Sequence, residues 1–194
     1  LGTSLNLTAN HIPTDTGASV IYLEGYLFDA PEGPNIFKRA AEIAQQNDAQ
    51  LALSLSDPWC VERHNEQFSL FIREHVSILF SNEEEVTTLT GSDRISAQQE
   101  MSVHLDELII TQGADGAVIC CEGAQLYVPP MPEGAVIDTT GAGDLFAAGY
   151  LYGRATGASA QQSAELASLC AGEVICHYGA RPAKPIAAFI KRAI

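Results

Sequence analysis

The chain has 194 residues, 46% of them hydrophobic and 18% charged, which is enough apolar content for a sizeable core and too much for a disordered segment. Ten Lys and Arg stand against 24 Asp and Glu, a formal net charge of −14 at pH 7, and this disfavours a nonspecific grip on nucleic acid or an anionic membrane. A phosphate bound by such a chain must be held locally, by helix N-termini, glycine backbone or metal ions.

In chain order, Val20–Glu24 (VIYLE), Leu51–Leu55 (LALSL), Val76–Ser81 (VSILFS) and Leu108–Thr111 (LIIT) are short apolar runs that predict strands buried on both faces. Helical patterns fall between them at Asn35–Asn47, Glu62–His75 and Ser96–Asp106, the last opened by a capping box of Ser96 and Gln99. Ala117–Cys121 and Gln125–Val128, separated by Glu122-Gly123-Ala124, read as a hairpin. Helices then follow over Gly141–Arg154, from the capping box Ser159 and Gln162 to His177, and over Pro185–Ala193. This alternation predicts one α/β domain over residues 1–194, a mostly parallel sheet flanked by helices on both faces with a hairpin at one edge.

The five cysteines form no C-x-x-C pair and the five histidines are scattered, so neither a zinc cluster nor a disulfide framework is visible. No apolar run approaches the roughly 20 residues that span a bilayer, and no signal-like segment opens the chain. A soluble, cytoplasmic protein is expected. The first residue is Leu1 and the first methionine Met101, so a fragment is expected too.

Val136-Ile137-Asp138-Thr139-Thr140-Gly141-Ala142-Gly143-Asp144-Leu145-Phe146 places two carboxylates and a small-residue turn directly before a helix. Gly141 and Gly143 let backbone approach a ligand closely, and the free N–H groups of a helix start suit a phosphate or an oxyanion. A carboxylate at Asp144 would stand beside that anion, where it can orient a hydroxyl and accept its proton as the hydroxyl attacks a phosphoryl group. A plain helix cap and tight turn is the competing account. No G-x-x-x-x-G-K-[ST] loop occurs, and Phe146 occupies the third glycine position of a dinucleotide fingerprint.

The string DTTGAGDLFAAGYL resembles the second signature of the ribokinase-like (PfkB) carbohydrate and nucleoside kinases. That resemblance implies Asp144 as catalytic base, Gly141, Ala142 and Gly143 as anion hole, and Asp138 with Thr140 as ligands of a potassium-like monovalent cation. Asn82 and Glu85, which by themselves form an ordinary N-cap and N3 pair, match the family's N-x-x-E motif, whose glutamate orders Mg2+ near the nucleotide phosphates. Thr111, Gly113 and Gly116 match the T-x-G-x-x-G segment bordering ATP, although such a segment taken alone is a turn into a hairpin. Gly179-Ala180-Arg181-Pro182 resembles the C-terminal loop that closes the cation and adenine region. The first strands, sugar-binding segment and lid that precede these motifs in the family are expected to be missing from this sequence.

The resemblance implies ATP, Mg2+ and a small-molecule acceptor, either a nucleoside of the adenosine type or a sugar; a homodimer is left open. A nucleotide-binding module without catalysis and a purely structural domain are the other readings. Asp57-Pro58 reads first as a turn, Trp59 as a packing residue, Cys120 and Cys121 as packing residues, and no histidine is assigned to catalysis.

Overall fold

Strand and helix alternate through the first half of the chain as the apolar runs require. The structure, a computed structural model, describes residues 3–14 and 17–193 and divides into two compact units, Leu1–Ile110 and Thr111–Ile194.

The first unit carries β1 (Val20–Glu24), α1 (Gly33–Gln46), β2 (Gln50–Ser54), α2 (Pro58–Arg63), α3 (Asn65–His75), β3 (Ile78–Asn82), α4 (Glu83–Thr90), α5 (Arg94–Ser102) and β4 (Glu107–Thr111). Its strands lie in the order β1-β2-β3-β4, with β1 parallel to β2 from Val20↔Gln50 to Glu24↔Ser54 and β2 parallel to β3 from Ala52↔Ile78 to Ser54↔Phe80. Parallel strands covered by helices bury both faces, and β2, β3 and β4 do so through their middle residues. β1 does not: only Leu23 of its five residues is buried, because β1 ends the strand order and has β2 as its neighbour.

An aromatic cluster of Phe28, Phe37, Phe68 and Phe71 fills the space between α1 and α3, with ring centroids 4.1 Å apart for Phe28 and Phe37, 4.7 Å for Phe28 and Phe68 and 5.0 Å for Phe37 and Phe71. Each such ring contributes roughly 1.5–3 kcal/mol by leaving water.

The helix expected over Glu62–His75 is two helices. His64 breaks it with φ −119° and ψ 22°, and no glycine or proline marks the break. The cause is tertiary: the His64 ring lies 5.5 Å from Phe28 and its Nε2 is 2.9 Å from Asp29 Oδ1. Asp57-Pro58 is a helix start rather than a free turn, since the Asp57 carboxylate accepts from the N–H groups of Trp59 (2.8 Å) and Cys60 (3.1 Å) with proline at the first helical position. Trp59, expected to pack, is 71% exposed, because this cap turns its side chain away from the core. The cap of α5 is Asp93, not Ser96: Asp93 accepts from the N–H groups of Ile95 and Ser96 and from the Ser96 hydroxyl at 2.7 Å.

The second unit opens with β5 (Ala117–Cys121) and β6 (Ala124–Val128) in antiparallel register from Ala117↔Val128 to Cys121↔Ala124. Glu122 (φ 51°) and Gly123 (φ 73°) form the connection, both left-handed as a tight two-residue hairpin needs. Then come α6 (Ala142–Ala155), α7 (Ala160–Val174) and α8 (Ala187–Ala193). The Ser159 and Gln162 capping box opens α7 as expected, but the helix stops at Val174, short of His177. α6 and α7 pack closely through small residues: a Cβ on Gly149 would lie 2.8 Å from Ala167 Cα, and one on Gly153 2.9 Å from Ser163 Cα. Leu145, Leu166, Leu169, Val174 and Phe189 form the core beneath them.

Among the described residues six strands, mostly parallel and flanked by helices, give the α/β architecture expected from the sequence. No helix among the described residues is long and apolar enough to cross a membrane.

Candidate active site

In the second unit, backbone N–H groups of Ile137 (2.8 Å) and Asp138 (3.3 Å) donate to the Ile175 carbonyl at the end of α7, which fixes the approach to the glycine turn. The Asp138 carboxylate then accepts three hydrogen bonds. Oδ1 takes the Thr140 N–H (3.0 Å) and hydroxyl (2.6 Å), and Oδ2 takes the Gly179 N–H (3.0 Å). These donors, the Thr140 hydroxyl foremost, hold its carboxyl down at about 2.

Gly141 is the N-cap of α6 at φ 82° and ψ 2°, a left-handed conformation for which glycine is the default residue. Space enforces it as well, since a Cβ there would lie 2.7 Å from Ala180 Cβ and 2.9 Å from Ala180 Cα. The Ala142 N–H is taken by the Thr139 carbonyl at 3.1 Å. The N–H groups of Gly143 and Asp144 have no protein acceptor among the described residues, so they are the donors this turn can offer an anion at the positive end of the helix. Asp144 is exposed in the first turn of α6.

Beside that turn a cleft of 340 Å³ is lined by Thr111, Gly113 and Gly116, by Ala142, Gly143 and Phe146, and by Met131, Pro132 and Gly172, among others. Its lining carries no charged side chain. Gly116 (φ 84°) is pressed against the hairpin, a Cβ there falling 2.2 Å from the Val128 carbonyl oxygen. Gly172 lets α7 touch the Met131-Pro132 segment, where a Cβ would meet the Met131 carbonyl oxygen at 2.0 Å. The second unit thus brings Thr111, Gly113, Gly116, Ala142 and Gly143 around one cleft, while Asp138, Thr140, Gly141 and Asp144 form the adjoining turn outside its lining.

Asn82 and Glu85 belong to the first unit. They form the full capping box of α4: Glu85 N–H to Asn82 Oδ1 (2.8 Å), Asn82 N–H to Glu85 Oε2 (2.9 Å) and Asn82 Nδ2 to Glu85 Oε1 (2.7 Å). Glu85 is only 6% exposed. Burial pushes its carboxyl up to about 7, the Asn82 N–H opposes this, and the charges of Asp57, Glu24 and Glu84 add to it. Close by, Glu24 accepts from the Tyr22 and Ser56 hydroxyls, the latter at 2.7 Å.

The profile of the pfkB family carbohydrate kinases matches residues 7–187. The chain belongs to that family. Among curated relatives, 2-dehydro-3-deoxygluconokinase of Escherichia coli K12 is 32% identical over 127 residues, 63% of this chain and 41% of the relative. Among solved structures, a probable sugar kinase from Rhizobium etli CFN 42 superposes with a TM-score of 0.93 at 34% identity, covering 97% of this chain and 58% of that one. Adenosine kinase from Sinorhizobium meliloti gives 0.92 at 32%, covering 98% and 59%. The chain therefore spans less than two thirds of the length of these relatives.

The first unit also holds a cluster that the sequence did not signal. Asp29, Cys60 and His64 bring their ligating atoms within 4.8 Å of one another, and the Arg63 guanidinium is forked onto the same Asp29 carboxylate at 3.1 and 2.6 Å. The Cys60 thiol is pushed up to about 11, chiefly by burial. With Asp29 neutralised by Arg63 and the thiol held protonated, this is a pin between the 25–29 turn and α2 rather than a metal centre. Asp29 is far from Cys60 in sequence, so no spacing rule could have joined them.

Proposed function

We propose that this chain is the nucleotide-binding and phosphoryl-transferring part of an ATP-dependent kinase acting on a hydroxyl of a nucleoside of the adenosine type or of a sugar. The observation that carries the reading is the α6 start, where the Gly143 and Asp144 N–H groups point out of a glycine turn beside the exposed Asp144 carboxylate and an uncharged cleft. In this reading the cleft takes the flat, weakly polar adenine and the turn takes the phosphates.

Charge building on the transferred phosphoryl group is stabilised by the two N–H dipoles, which are fixed in advance by the Asp138 and Ile175 contacts and need no reorganisation during the reaction. Asp144 accepts the proton of the attacking hydroxyl. Asp138, ionised far below neutral pH, and Thr140 supply hard oxygens for a potassium-like ion. Glu85 fits a Mg2+ role by its chemistry: a buried carboxylate among like charges gains from a divalent cation, which Mg2+ with its oxygen preference would satisfy through water. When bound, Mg2+ neutralises phosphate charge. Cytoplasmic placement and a homodimer remain part of this proposal.

The relatives divide between a sugar-acid kinase and an adenosine kinase, which supports a hydroxyl acceptor and keeps both acceptor classes in the proposal. The decisive experiment is Asp144→Asn in the full-length protein, screened with adenosine, other nucleosides, ribose and fructose. Turnover of the accepted substrate is expected to fall by about 10²-fold or more, the scale of a lost general base, with ATP affinity unchanged. Retained turnover would refute the base assignment, and absence of MgATP binding by the parent protein would refute the kinase reading.

A further inference from the structure

Glu173, near the end of α7, has a side chain only 4% exposed. Its Oε1 accepts the N–H groups of Ala183 (3.0 Å) and Lys184 (3.1 Å) and lies 3.5 Å from His177 Nε2. Its Oε2 is buried without a hydrogen-bond partner among the described residues, and His177 Nε2 likewise. A buried carboxylate costs several kcal/mol unless compensated, and Glu173 lies on a helix whose buried residues near it include Leu166, Leu169, Cys170 and Val174. The compensation comes from the segment that follows the helix.

Between His177, which lies beside Glu173, and Ala183, which is hydrogen-bonded to it, the chain passes the glycine turn. The Gly179 N–H donates to Asp138 Oδ2 at 3.0 Å, and Ala180 lies so close to Gly141 that no Cβ fits between them. His177 also adds to the field that keeps Asp138 ionised. The segment 177–184 is thus hydrogen-bonded to one buried carboxylate at Ala183 and Lys184, begins with a histidine 3.5 Å from the same oxygen, and presses at its middle on the residue that caps α6.

The geometry points to Glu173, assisted by His177, as a positioning residue of the phosphate turn: its carboxylate holds the 177–184 segment on Gly141 and Asp138 and so sets the direction of the Gly143 and Asp144 N–H groups. This rests on the phosphate-binding reading of that turn. No contact of Glu173 with substrate is implied.

The test compares Glu173→Ala and Glu173→Gln by amide hydrogen exchange and by MgATP titration, at a temperature where circular dichroism shows each variant folded. Glu173→Ala is expected to speed exchange at Gly179, Ala183 and Lys184 about tenfold or more, leave the Ile119 amide of β5 unchanged, and weaken MgATP about tenfold, the equivalent of one lost charge-assisted contact. Glu173→Gln keeps a carbonyl oxygen for both N–H groups and should stay within about threefold of the parent. Unchanged exchange at Gly179 in Glu173→Ala overturns the proposal, as does equal acceleration at Ile119, which would mean general destabilisation. Should Glu173→Ala fail to fold, His177→Gln decides by the same Gly179 readout, acceleration supporting the clasp and parent-like exchange overturning it. If the parent does not bind MgATP, the kinase reading fails, while the exchange arm still judges the clasp.

Discussion

Glu85→Gln separates the electrostatic state of the N-x-x-E glutamate from its capping role. In the folded chain the Glu85 carboxyl is raised from 4.5 to about 7, so the folded state holds its proton more tightly than the unfolded state. The associated stability is fully present below pH 4.5 and is lost as pH rises to about 7. A shift of this size corresponds to ~3 kcal/mol at 1.36 kcal/mol per unit. Glutamine mimics the protonated acid and does not titrate. Near pH 4.5 the variant should match the parent within ~1 kcal/mol, the scale of one altered hydrogen bond, and at pH 8 it should be more stable by ~3 kcal/mol. Urea unfolding at pH 4.5, 6 and 8 measures the difference. Millimolar Mg2+ should narrow the gap at pH 8 by favouring the ionised parent carboxylate. Parallel pH profiles for the two proteins would refute the reasoning.

Gly141→Ala places a Cβ against Ala180 in a left-handed backbone, and should cost at least ~2 kcal/mol in unfolding free energy while abolishing measurable MgATP binding in isothermal titration. Gly172→Ala drives a methyl into the Met131 carbonyl; helix α7 must shift, and a nucleotide titration should show affinity reduced at least tenfold, about 1.4 kcal/mol. Asp138→Asn removes a carboxyl whose folded value of about 2 lies below its usual 3.8. The parent should lose this contribution as pH falls from about 4 to about 2, and the variant should show no such loss across that window in acid titration by circular dichroism.

The parts of this fold legible in sequence were those governed by local rules. The hairpin with Glu122-Gly123, the Asn82 and Glu85 box, the Ser159 and Gln162 box and the strand at Val20–Glu24 all follow from a few adjacent residues and were placed within a residue or so. The misses share a cause. His64 ends α2 through contacts with Phe28 and Asp29, far away in sequence, and β1 is half-exposed through its place in the sheet rather than its composition. At the site, the glycine turn was readable because its chemistry is carried by backbone. Glu173 was not, because a lone glutamate in an Ala-rich helix looks like a solvent-facing residue until the returning chain covers it.

On the nucleotide-binding reading proposed above, so acidic a chain has to hold a polyanion locally. With a net charge of −14, long-range attraction of the proposed ATP is disfavoured, and the cleft beside the turn has no cationic side chain in its lining. What remains is short-range: fixed N–H dipoles at the start of α6, effective only within the first turn, and divalent metal arriving with the nucleotide. Such a design tolerates little misalignment, since a dipole loses its advantage over water once it points away from the charge it serves. On the proposed reading, the buried Glu173 carboxylate, the triply bonded Asp138 and the pressed contact of Gly141 on Ala180 have one physical rationale: they hold two N–H groups still beside a cleft whose lining supplies no charged side chain.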